Sequence, residues 1–250
     1  MKRKIKPTIW ILLGVGGSMC FLAIIMGLLL YNGIITFNNP SVDEYPVRGV
    51  DVASYQGKID WEVLAEQGIS FAFIKATEGS SFTDKNFAYN YENAIKTDLR
   101  VGAYHFFSFD SAGSTQAENF IKSVYSYEDM LPPVVDVEFY GDYLSSPPTD
   151  IEAIKGELRI LLETLTEEYG KTPIIYATKE SYDLFLKNDF TEYDIWIRDI
   201  FTCPELSDGR EWTFWQYTNR GRLEGYKGVE KFIDINVFCG SAEDFEAYGR

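Results

Sequence analysis

Two carboxylates stand inside a stretch that otherwise has the composition of a buried β-strand. Asp136 and Glu138 alternate with Val135 and Val137 in the sequence PPVVDVEFYG at residues 132–141. Because successive side chains of a strand point to opposite faces, both acids lie on the same face. Neighbouring carboxylates in an apolar setting cost free energy unless one of them keeps its proton. The pair therefore predicts a site that holds or transfers a proton.

Polar side chains interrupt four further apolar stretches. Asp51 lies in RGVDVASYQG and Asp234 in FIDINVF, while Tyr176 and Gln216 interrupt PIIYAT and TFWQYT. A single acid in a strand more often makes a structural hydrogen bond or salt bridge, and that alternative applies to Asp51 and Asp234 taken alone. In β/α barrels, however, the reactive groups gather at the C-terminal ends of the strands. The convergence of several such acids on one mouth favours a catalytic role.

The stretches that carry these residues alternate with amphipathic helices. Strands are predicted at residues 47–54, 71–77, 100–107, 134–139, 173–178, 194–200, 212–218 and 232–238. Helices are predicted at 61–67, 84–97, 114–125, 150–169 and 179–188. Apolar strands between helices indicate a parallel sheet covered by helices, and eight of them favour closure into a barrel. The predicted fold class is α/β, a single irregular (β/α) barrel of about eight strands over residues 47–250.

The last two connections depart from this pattern. Residues 202–211 and 219–231 are rich in glycine and charge and show no helical period. The final strands are therefore expected to pair irregularly or antiparallel.

The N-terminal segment has a different composition from the rest. Residues 1–6 (MKRKIK) carry four Lys or Arg, and no charged residue occurs from 7 to 42. The apolar segment 8–31 is long enough to cross a hydrocarbon layer of about 30 Å as a helix. By the positive-inside rule, residues 1–7 are expected in the cytoplasm and the barrel outside the cell membrane. A cleavable signal peptide, which would give a secreted protein, is the alternative.

Charge and cysteine content limit the partners of the exported part. A short linker is predicted at residues 32–46, and after residue 42 the chain has 19 Lys or Arg against 38 Asp or Glu, a formal charge of about −19. Nucleic acid is therefore an unfavourable partner, and we expect a monomer. Cys203 and Cys239 are the thiols outside the apolar segment, and the sequence leaves open whether they form a disulfide.

The composition also excludes several hydrolytic mechanisms. His105 is the one histidine, and its apolar and aromatic neighbours in VGAYHFFSF predict a hydrogen-bonded structural residue. Zinc sites draw heavily on His and Cys, and serine or cysteine hydrolases need a histidine base beside the nucleophile. The sequence predicts neither a metal nor another cofactor.

Paired carboxylates among many aromatic residues are typical of glycoside hydrolysis. One acid protonates the leaving oxygen, and another stabilises the positive charge that develops on the sugar. Aromatic residues make up 16% of the chain, and Tyr55, Trp61, Tyr140, Trp215 and Tyr217 lie near the acid-bearing stretches. Residues i and i+2 of a strand are about 6.6 Å apart. In so close a pair, the two acids are expected to share a proton, or one of them to assist a group of the substrate. An arrangement with one acid on each side of the glycosidic bond is less favoured.

Seven ordered motifs resemble the family 25 glycoside hydrolases, the Chalaropsis-type lysozymes that act as N-acetylmuramidases. They are GVDVASYQGKIDW, FAFIKATEG, GAYHFF, PVVDVEFYG, PIIYAT, WTFWQYT and FIDINVF, which together extend over about residues 47–240. The resemblance implies an irregular β/α barrel, no cofactor, and cleavage of the β-1,4 bond between N-acetylmuramic acid and N-acetylglucosamine in the glycan strands of bacterial peptidoglycan.

The resemblance also implies roles for the residues already identified. Glu138 would be the general acid, whose pKa burial and the Asp136 charge should raise. Asp136 would assist by orienting the 2-acetamido group of the substrate, and Asp51 and Asp234 would complete the acidic floor. The residues expected to shape the saccharide groove are Tyr55, Trp61, Lys75, Glu78, Tyr140, Tyr176, Trp215 and Gln216.

Some positions depart from the family pattern, and two other functions are alternatives. Tyr55 replaces a frequent Trp, Arg198 stands where a small residue is common, and the loop at residues 225–231 is slightly longer than usual. These differences concern the groove more than the acids. A catalytically silent wall-binding module would bind glycan without turnover, and a chitinase-like hydrolase would act on N-acetylglucosamine polymers.

Overall fold

Nine strands form one sheet within residues 7–250, the part of the chain that the computed structural model describes. They are β1 (Arg48–Val52), β2 (Phe71–Glu78), β3 (Phe82–Thr83), β4 (Arg100–Phe106), β5 (Val134–Val137), β6 (Ile174–Thr178), β7 (Asp194–Arg198), β8 (Phe214–Gly221) and β9 (Ile233–Phe238). The order is β1-β9-β8-β7-β6-β5-β4-β2-β3, and β1 also pairs with β2. Eight strands therefore close into a barrel, as predicted, and β3 extends from the edge of β2.

The direction of the strands changes at the end of the chain. Strands β1, β2 and β4–β8 run parallel to one another, whereas β9 is antiparallel to both β8 and β1, and β3 is antiparallel to β2. A parallel connection needs a crossover of a dozen or more residues, usually a helix, and no helix forms between β8 and β9. The expected antiparallel pairing of the final strands is thus confirmed.

Seven α-helices occur in the described part of the chain. They are α1 (Pro7–Tyr31), α2 (Trp61–Ala65), α3 (Phe87–Ala94), α4 (Gly113–Ser123), α5 (Ile151–Tyr169), α6 (Lys179–Ser181) and α7 (Ala242–Ala247). The helix predicted at 179–188 is instead the single turn α6 followed by a π-helical turn, Tyr182–Leu186. Strand β3 and helix α7 are too short to show a periodic pattern in the sequence.

Two apolar cores lie on the two sides of the barrel wall. Alternate strand residues such as Phe71, Phe73, Trp196 and Phe214 pack inside the barrel. Their neighbours in sequence, among them Ile197, face the helices and form the outer core. This alternation fixes the register, so the polar residues that share the inward face reach the barrel interior.

The C-terminal helix closes the bottom of the barrel. Phe245 of α7 packs on Phe71 and Phe238, with ring centroids 5.4 and 5.2 Å apart. The Arg100 guanidinium, at the start of β4, donates hydrogen bonds to the carbonyl oxygens of Phe245 and Tyr248. The opposite end of the barrel carries the acids.

The chain forms two compact units, one extending to Phe37 and the other over Asn38–Arg250. The barrel unit thus begins before the predicted residue 47, because part of the expected linker packs on it. Tyr45 contacts Trp212 and Trp215 at centroid distances of 5.9 and 6.1 Å.

Helix α1 belongs to the N-terminal unit. Its window Gly14–Tyr31 is long and apolar enough to cross a membrane, with a mean hydropathy of 2.0. A signal sequence has the same properties, so this window is weak evidence for an anchor. The basic segment predicted to be cytoplasmic lies outside the described residues, except for Pro7.

Candidate active site

A cavity of about 1000 Å³ opens at the C-terminal ends of the parallel strands. This is the end of a β/α barrel at which catalytic groups are positioned. The polar and aromatic residues that line it include Asp51, Tyr55, Gln56, Lys75, Glu78, Tyr104, Asp136, Glu138, Tyr140, Tyr176, Glu180, Trp196, Arg198, Gln216, Asn219, Glu230, Phe232 and Asp234.

Asp136 and Glu138 both line this cavity, as the alternation along β5 predicts. Asp136 is buried opposite Phe106 of β4 and Tyr176 of β6, whereas Glu138 follows the end of the strand and is half-buried. Burial raises the pKa of both carboxyls, and the Glu138 charge raises the pKa of Asp136 further. At neutral pH the two groups therefore do not both ionise freely.

The Oδ1 atom of Asp136 is buried and has no hydrogen-bond partner. Buried polar atoms are nearly always paired, and an unpaired one often marks a functional site. Because this oxygen belongs to a residue that lines the cavity, it is a candidate acceptor for a donor on a bound substrate.

A second acid pair crosses between the first and last strands. Asp51 and Asp234 are directly opposite each other in the antiparallel pair of β1 and β9. Burial raises the pKa of both, and a hydrogen bond between the carboxyls lowers the pKa of Asp51 while raising that of Asp234. This distribution favours Asp234 as the protonated donor and Asp51 as the charged acceptor.

A chain of amides and aromatic residues fixes Asp51. Its Oδ1 accepts hydrogen bonds from the Nδ2 of Asn236 at 2.7 Å and the Nε2 of Gln216 at 2.9 Å. The Tyr176 hydroxyl donates to the Gln216 Oε1 at 3.1 Å, and the Trp196 indole donates to the Asn236 Oδ1 at 2.8 Å. The carboxylate is therefore held in one orientation across strands β6–β9 and β1.

Two cations line the same cavity. The Lys75 ammonium forms an ion pair with Glu78 at 2.8 Å and lies over the ring of Phe106 at 4.6 Å. The positive charges of Lys75 and Arg198 both lower the pKa of Glu138, against the effect of its burial. The positive charges of Lys75 and Arg198 thus offset only part of the negative charge of the acids in the cavity.

Aromatic residues form the rim. Tyr55 is 58% exposed at the edge of the cavity. The Tyr140 ring stacks on Phe109 with a centroid distance of 5.4 Å, and its hydroxyl accepts a hydrogen bond from the Phe109 backbone. One ring is thus free to contact a ligand, and the other is held rigidly.

Comparisons with known proteins agree with this geometry. A sequence model described as "Glycosyl hydrolases family 25" matches residues 50–226. The chain belongs to this family. It is 31% identical to Lysozyme M1 of Streptomyces globisporus over 214 residues, which are 80% of this chain and 70% of that protein.

Solved structures of similar proteins have the same fold. A family 25 glycosyl hydrolase from Bacillus anthracis is 58% identical, with a TM-score of 0.80 over 84% of this chain and 97% of that one. A bacterial lysozyme from Streptomyces coelicolor is 28% identical, with a TM-score of 0.72 over 81% and 96% of the two chains. The chain is therefore a glycoside hydrolase with the irregular barrel that its motifs predict.

Two of the residues predicted to shape the groove lie outside the cavity of this family 25 barrel. Trp61 is 2% exposed at the start of α2 and packs in the outer core. Trp215 is 3% exposed, and its indole donates a hydrogen bond to the Asp199 carbonyl oxygen at 2.7 Å. The expectation that these two side chains contact saccharide in the cavity is therefore corrected. Trp61 lies on a helix outside the barrel, and Trp215 alternates along β8 with the inward-facing Gln216, so it faces away from the cavity. The other six predicted groove residues line the cavity.

Several residues that line the cavity or support its acids were absent from the sequence prediction. Tyr104 lines the cavity, and burial, followed by the charges of the four acids, raises its pKa well above the ordinary value. Trp196 and Asn236 hold Asp51, as described above. Residues two positions apart on a strand point to the same face. Asn236 therefore shares the inward face with Asp234, and Arg198 shares it with Trp196, so each could have been found from the other.

The single histidine and the remaining cysteines have no place in the acid cluster. The His105 ring is buried between Thr77 and Gln116, at 2.8 and 3.0 Å, and burial lowers its pKa to about 4. It is the structural residue that its neighbours predict. Cys203 and Cys239 are both free thiols. Among residues 7–250, no cluster of three or more His, Cys, Asp or Glu side chains could hold a metal ion.

Proposed function

We propose that this family 25 enzyme is an N-acetylmuramidase that cleaves the β-1,4 bond between N-acetylmuramic acid and N-acetylglucosamine in peptidoglycan. The observation that carries the proposal is the Asp136–Glu138 pair, which lines the cavity beside the hydrogen-bonded pair Asp51–Asp234. The similarity to Lysozyme M1 supports peptidoglycan as the substrate.

Glu138 serves as the general acid. It lies past the end of β5, half-buried, and burial keeps its pKa above the ordinary value, so that it retains a proton at higher pH than a free carboxyl. Glu138 donates this proton to the glycosidic oxygen as the bond to C1 breaks. The resulting carboxylate then removes a proton from the water that completes hydrolysis.

Asp136 positions the substrate's own nucleophile. Its unpaired Oδ1 accepts a hydrogen bond from the N–H of the 2-acetamido group, which turns the amide oxygen toward C1. Attack by that oxygen forms a cyclic intermediate with positive charge on the ring, which an ionised Asp136 stabilises. Asp51 and Asp234 contribute further negative potential, and Asp51 is held in place by Gln216 and Asn236.

The enzyme is expected to remain attached to the membrane by α1, with its barrel outside the cell. The apolar window Gly14–Tyr31 and the basic residues before it support this orientation. A tethered muramidase acts on wall near the membrane, in remodelling or in making room for an assembly. We expect a monomer.

The test uses the full chain in detergent and its Glu138→Gln variant on purified peptidoglycan. Released fragments are analysed by mass before and after borohydride reduction. The unmodified enzyme should produce reducible N-acetylmuramic acid ends, while the variant should produce none, because an amide keeps the shape of the side chain but cannot supply the proton.

Other outcomes assign the protein differently. Binding of both forms to the wall without release of fragments would indicate a silent binding module. Reducible N-acetylglucosamine ends, or turnover of chitooligosaccharides at a similar rate, would indicate a chitinase-like hydrolase.

A further inference from the structure

Arg198 introduces a cation among the acids of the cavity. It is the last residue of β7, two positions after Trp196, and is half-buried. The positive charge of Arg198 lowers the pKa of Glu138, Asp51 and Asp234. Its guanidinium is thus electrostatically coupled to three of the four acids of the active site.

Seven carboxyl groups line this cavity. They belong to Asp51, Glu78, Asp136, Glu138, Glu180, Glu230 and Asp234. Among the described residues that line it, Lys75 and Arg198 are the only Lys or Arg side chains. A cavity with so large an excess of acids repels an anionic substrate unless a cation is available to it.

Only one of these two cations is available. Lys75 is engaged with Glu78 at 2.8 Å, and the nearby Lys179, outside the cavity, is paired with Asp199 at 2.6 Å. The Arg198 guanidinium forms no hydrogen bond or ion pair with any residue in the described part of the chain. Its five N–H donors, in a rigid planar fork, match the two oxygens of a carboxylate.

We propose that Arg198 is a specificity-determining residue that binds a carboxylate carried by the substrate's N-acetylmuramic acid unit. This inference rests on the proposed muramidase function. The carboxylate has two sources: the lactyl group of glycan without peptide, or the stem peptide that amidates the lactyl group in intact peptidoglycan. A neutral N-acetylglucosamine polymer offers neither.

The experiment measures binding without turnover. The full chain carrying Glu138→Gln, with and without Arg198→Gln, is titrated in detergent by calorimetry. The ligands are a tetrasaccharide of alternating N-acetylglucosamine and N-acetylmuramic acid with free lactyl carboxylates, the same compound with those groups converted to methyl amides, and the peptide-bearing form. Lys122→Gln serves as the charge-matched control, because Lys122 is exposed on α4 and pairs only with Glu118 at 3.2 Å.

Arg198→Gln should weaken binding of a carboxylate-bearing ligand by about ten- to a hundredfold, the effect of losing a charge-assisted contact, and leave the methyl amide nearly unchanged. A loss confined to the free lactyl form identifies the lactyl carboxylate, and a loss confined to the peptide-bearing form identifies the stem peptide. A loss for both forms, with the methyl amide unaffected, also supports the proposal. Lys122→Gln should change none of the affinities.

Equal losses for all three ligands would overturn the proposal, because Arg198 would then act only on the fold or on the neighbouring acids. No loss for any ligand would also overturn it, because Arg198 would then make no contact with the substrate. Arg198→Lys keeps the charge without the fork and should show an intermediate loss, which covers the case in which the glutamine variant does not fold. Because binding is measured in the inactive background, failure of this proposal is distinguishable from absence of fragments in the turnover test.

Discussion

Asp136 is the residue at which geometry and charge make the sharpest prediction. Replacement by Asn removes the charge that would stabilise a positive intermediate and leaves the burial unchanged. We expect Asp136→Asn to reduce kcat by several orders of magnitude, with KM altered far less, because the lost interaction acts mainly in the transition state. Initial rates on soluble glycan strands, with near-ultraviolet circular dichroism as a folding control, test this. A rate within tenfold of the unmodified enzyme would contradict the assisting role.

The Asp51–Asp234 pair predicts a dependence of stability on pH. The folded-state pKa of Asp234 is raised, so folding becomes less favourable as pH rises from about 4 through that folded pKa. Asp234→Asn keeps a donor for Asp51 and removes this titration. The variant should therefore gain stability at pH 7 but not at pH 4.

Thermal unfolding at the two pH values measures the difference. A gain of about 1 kcal/mol corresponds to about 2–4 °C in Tm for a domain of this size. An equal change in Tm at both pH values would show that Asp234 does not titrate differently in the folded state.

At the residue scale, the acids were predictable, as were Gln216 and Tyr176 among the residues that fix Asp51, whereas Trp196 and Asn236 were not. Charges in apolar strands are conspicuous in a sequence, so Asp51, Asp136, Glu138 and Asp234 were identified. The hydrogen bond from Asn236 joins partners 185 positions apart, and only the closed barrel brings them together.

At the scale of elements, His105 connects a helix to two strands. The Gln116 Oε1 also accepts a hydrogen bond from the Ser108 backbone at 2.7 Å, so it acts as an acceptor for the His105 Nε2–H as well. The His105 Nδ1 then accepts from Thr77 of β2. A neutral ring is therefore required to join α4 to β2 and β4.

This arrangement predicts a loss of stability in acid. The folded-state pKa of His105 is about 4, below the ordinary 6.5, so its contribution is complete above about pH 6.5 and is lost as pH falls toward 4. The loss amounts to at most about 3 kcal/mol. His105→Gln should remove this part of the pH dependence, measured as the difference in unfolding free energy between variant and unmodified protein. Parallel pH curves would refute it.

The loop before β9 supports the rim of the cavity. A Cβ at Gly228 would overlap the Tyr55 carbonyl oxygen, and the Glu230 backbone donates to that same oxygen at 3.1 Å. Gly228→Ala must therefore displace the loop or Tyr55. We expect a lower Tm and a KM raised severalfold, with kcat largely retained, because Asp51, Asp136, Glu138 and Asp234 lie outside this loop.

Gly68→Ala is a suitable comparison. Unlike Gly228, Gly68 has a positive φ, of 76°, and no atom lies within 4 Å of its Cβ position, so Gly68→Ala reports the effect of backbone strain alone, without any overlap. If Gly228→Ala left Tm and KM unchanged, the loop would not hold Tyr55.

The elements were predicted where the sequence carries a long periodic signal. All eight barrel strands and four of the five predicted helical segments, 61–67, 84–97, 114–125 and 150–169, appear near the expected positions. Helix α7 was missed because its function is to close the barrel, which is a tertiary role that six residues do not reveal. Trp61 and Trp215 were misassigned because an aromatic residue beside a polar one has the same sequence signature whether it faces the cavity or the outer core.

At the scale of the whole molecule, the acidic barrel and the apolar helix make a prediction about location. Helix α1 has 25 residues and a length of about 37 Å, enough to cross hydrocarbon of about 30 Å with some tilt. Residues Tyr31 to Phe37 lack a small-x-small cleavage pattern. The chain should therefore persist at its full 28.6 kDa in the membrane fraction, resist extraction by salt, and dissolve in detergent.

Protease added to intact spheroplasts distinguishes the two orientations. With the barrel outside, digestion should leave only a short membrane-protected fragment that contains α1, whereas a barrel inside would be protected. Replacing Asn32 and Ile34 by Ala creates an Ala-Gly-Ala sequence after the helix, and release of the barrel from this variant alone would indicate that the natural residues prevent cleavage. Recovery of only a shorter form of the unmodified chain from the medium would contradict the anchor, because the barrel would then have been cleaved from α1. The enzyme could in that case reach glycan far from the cell that made it.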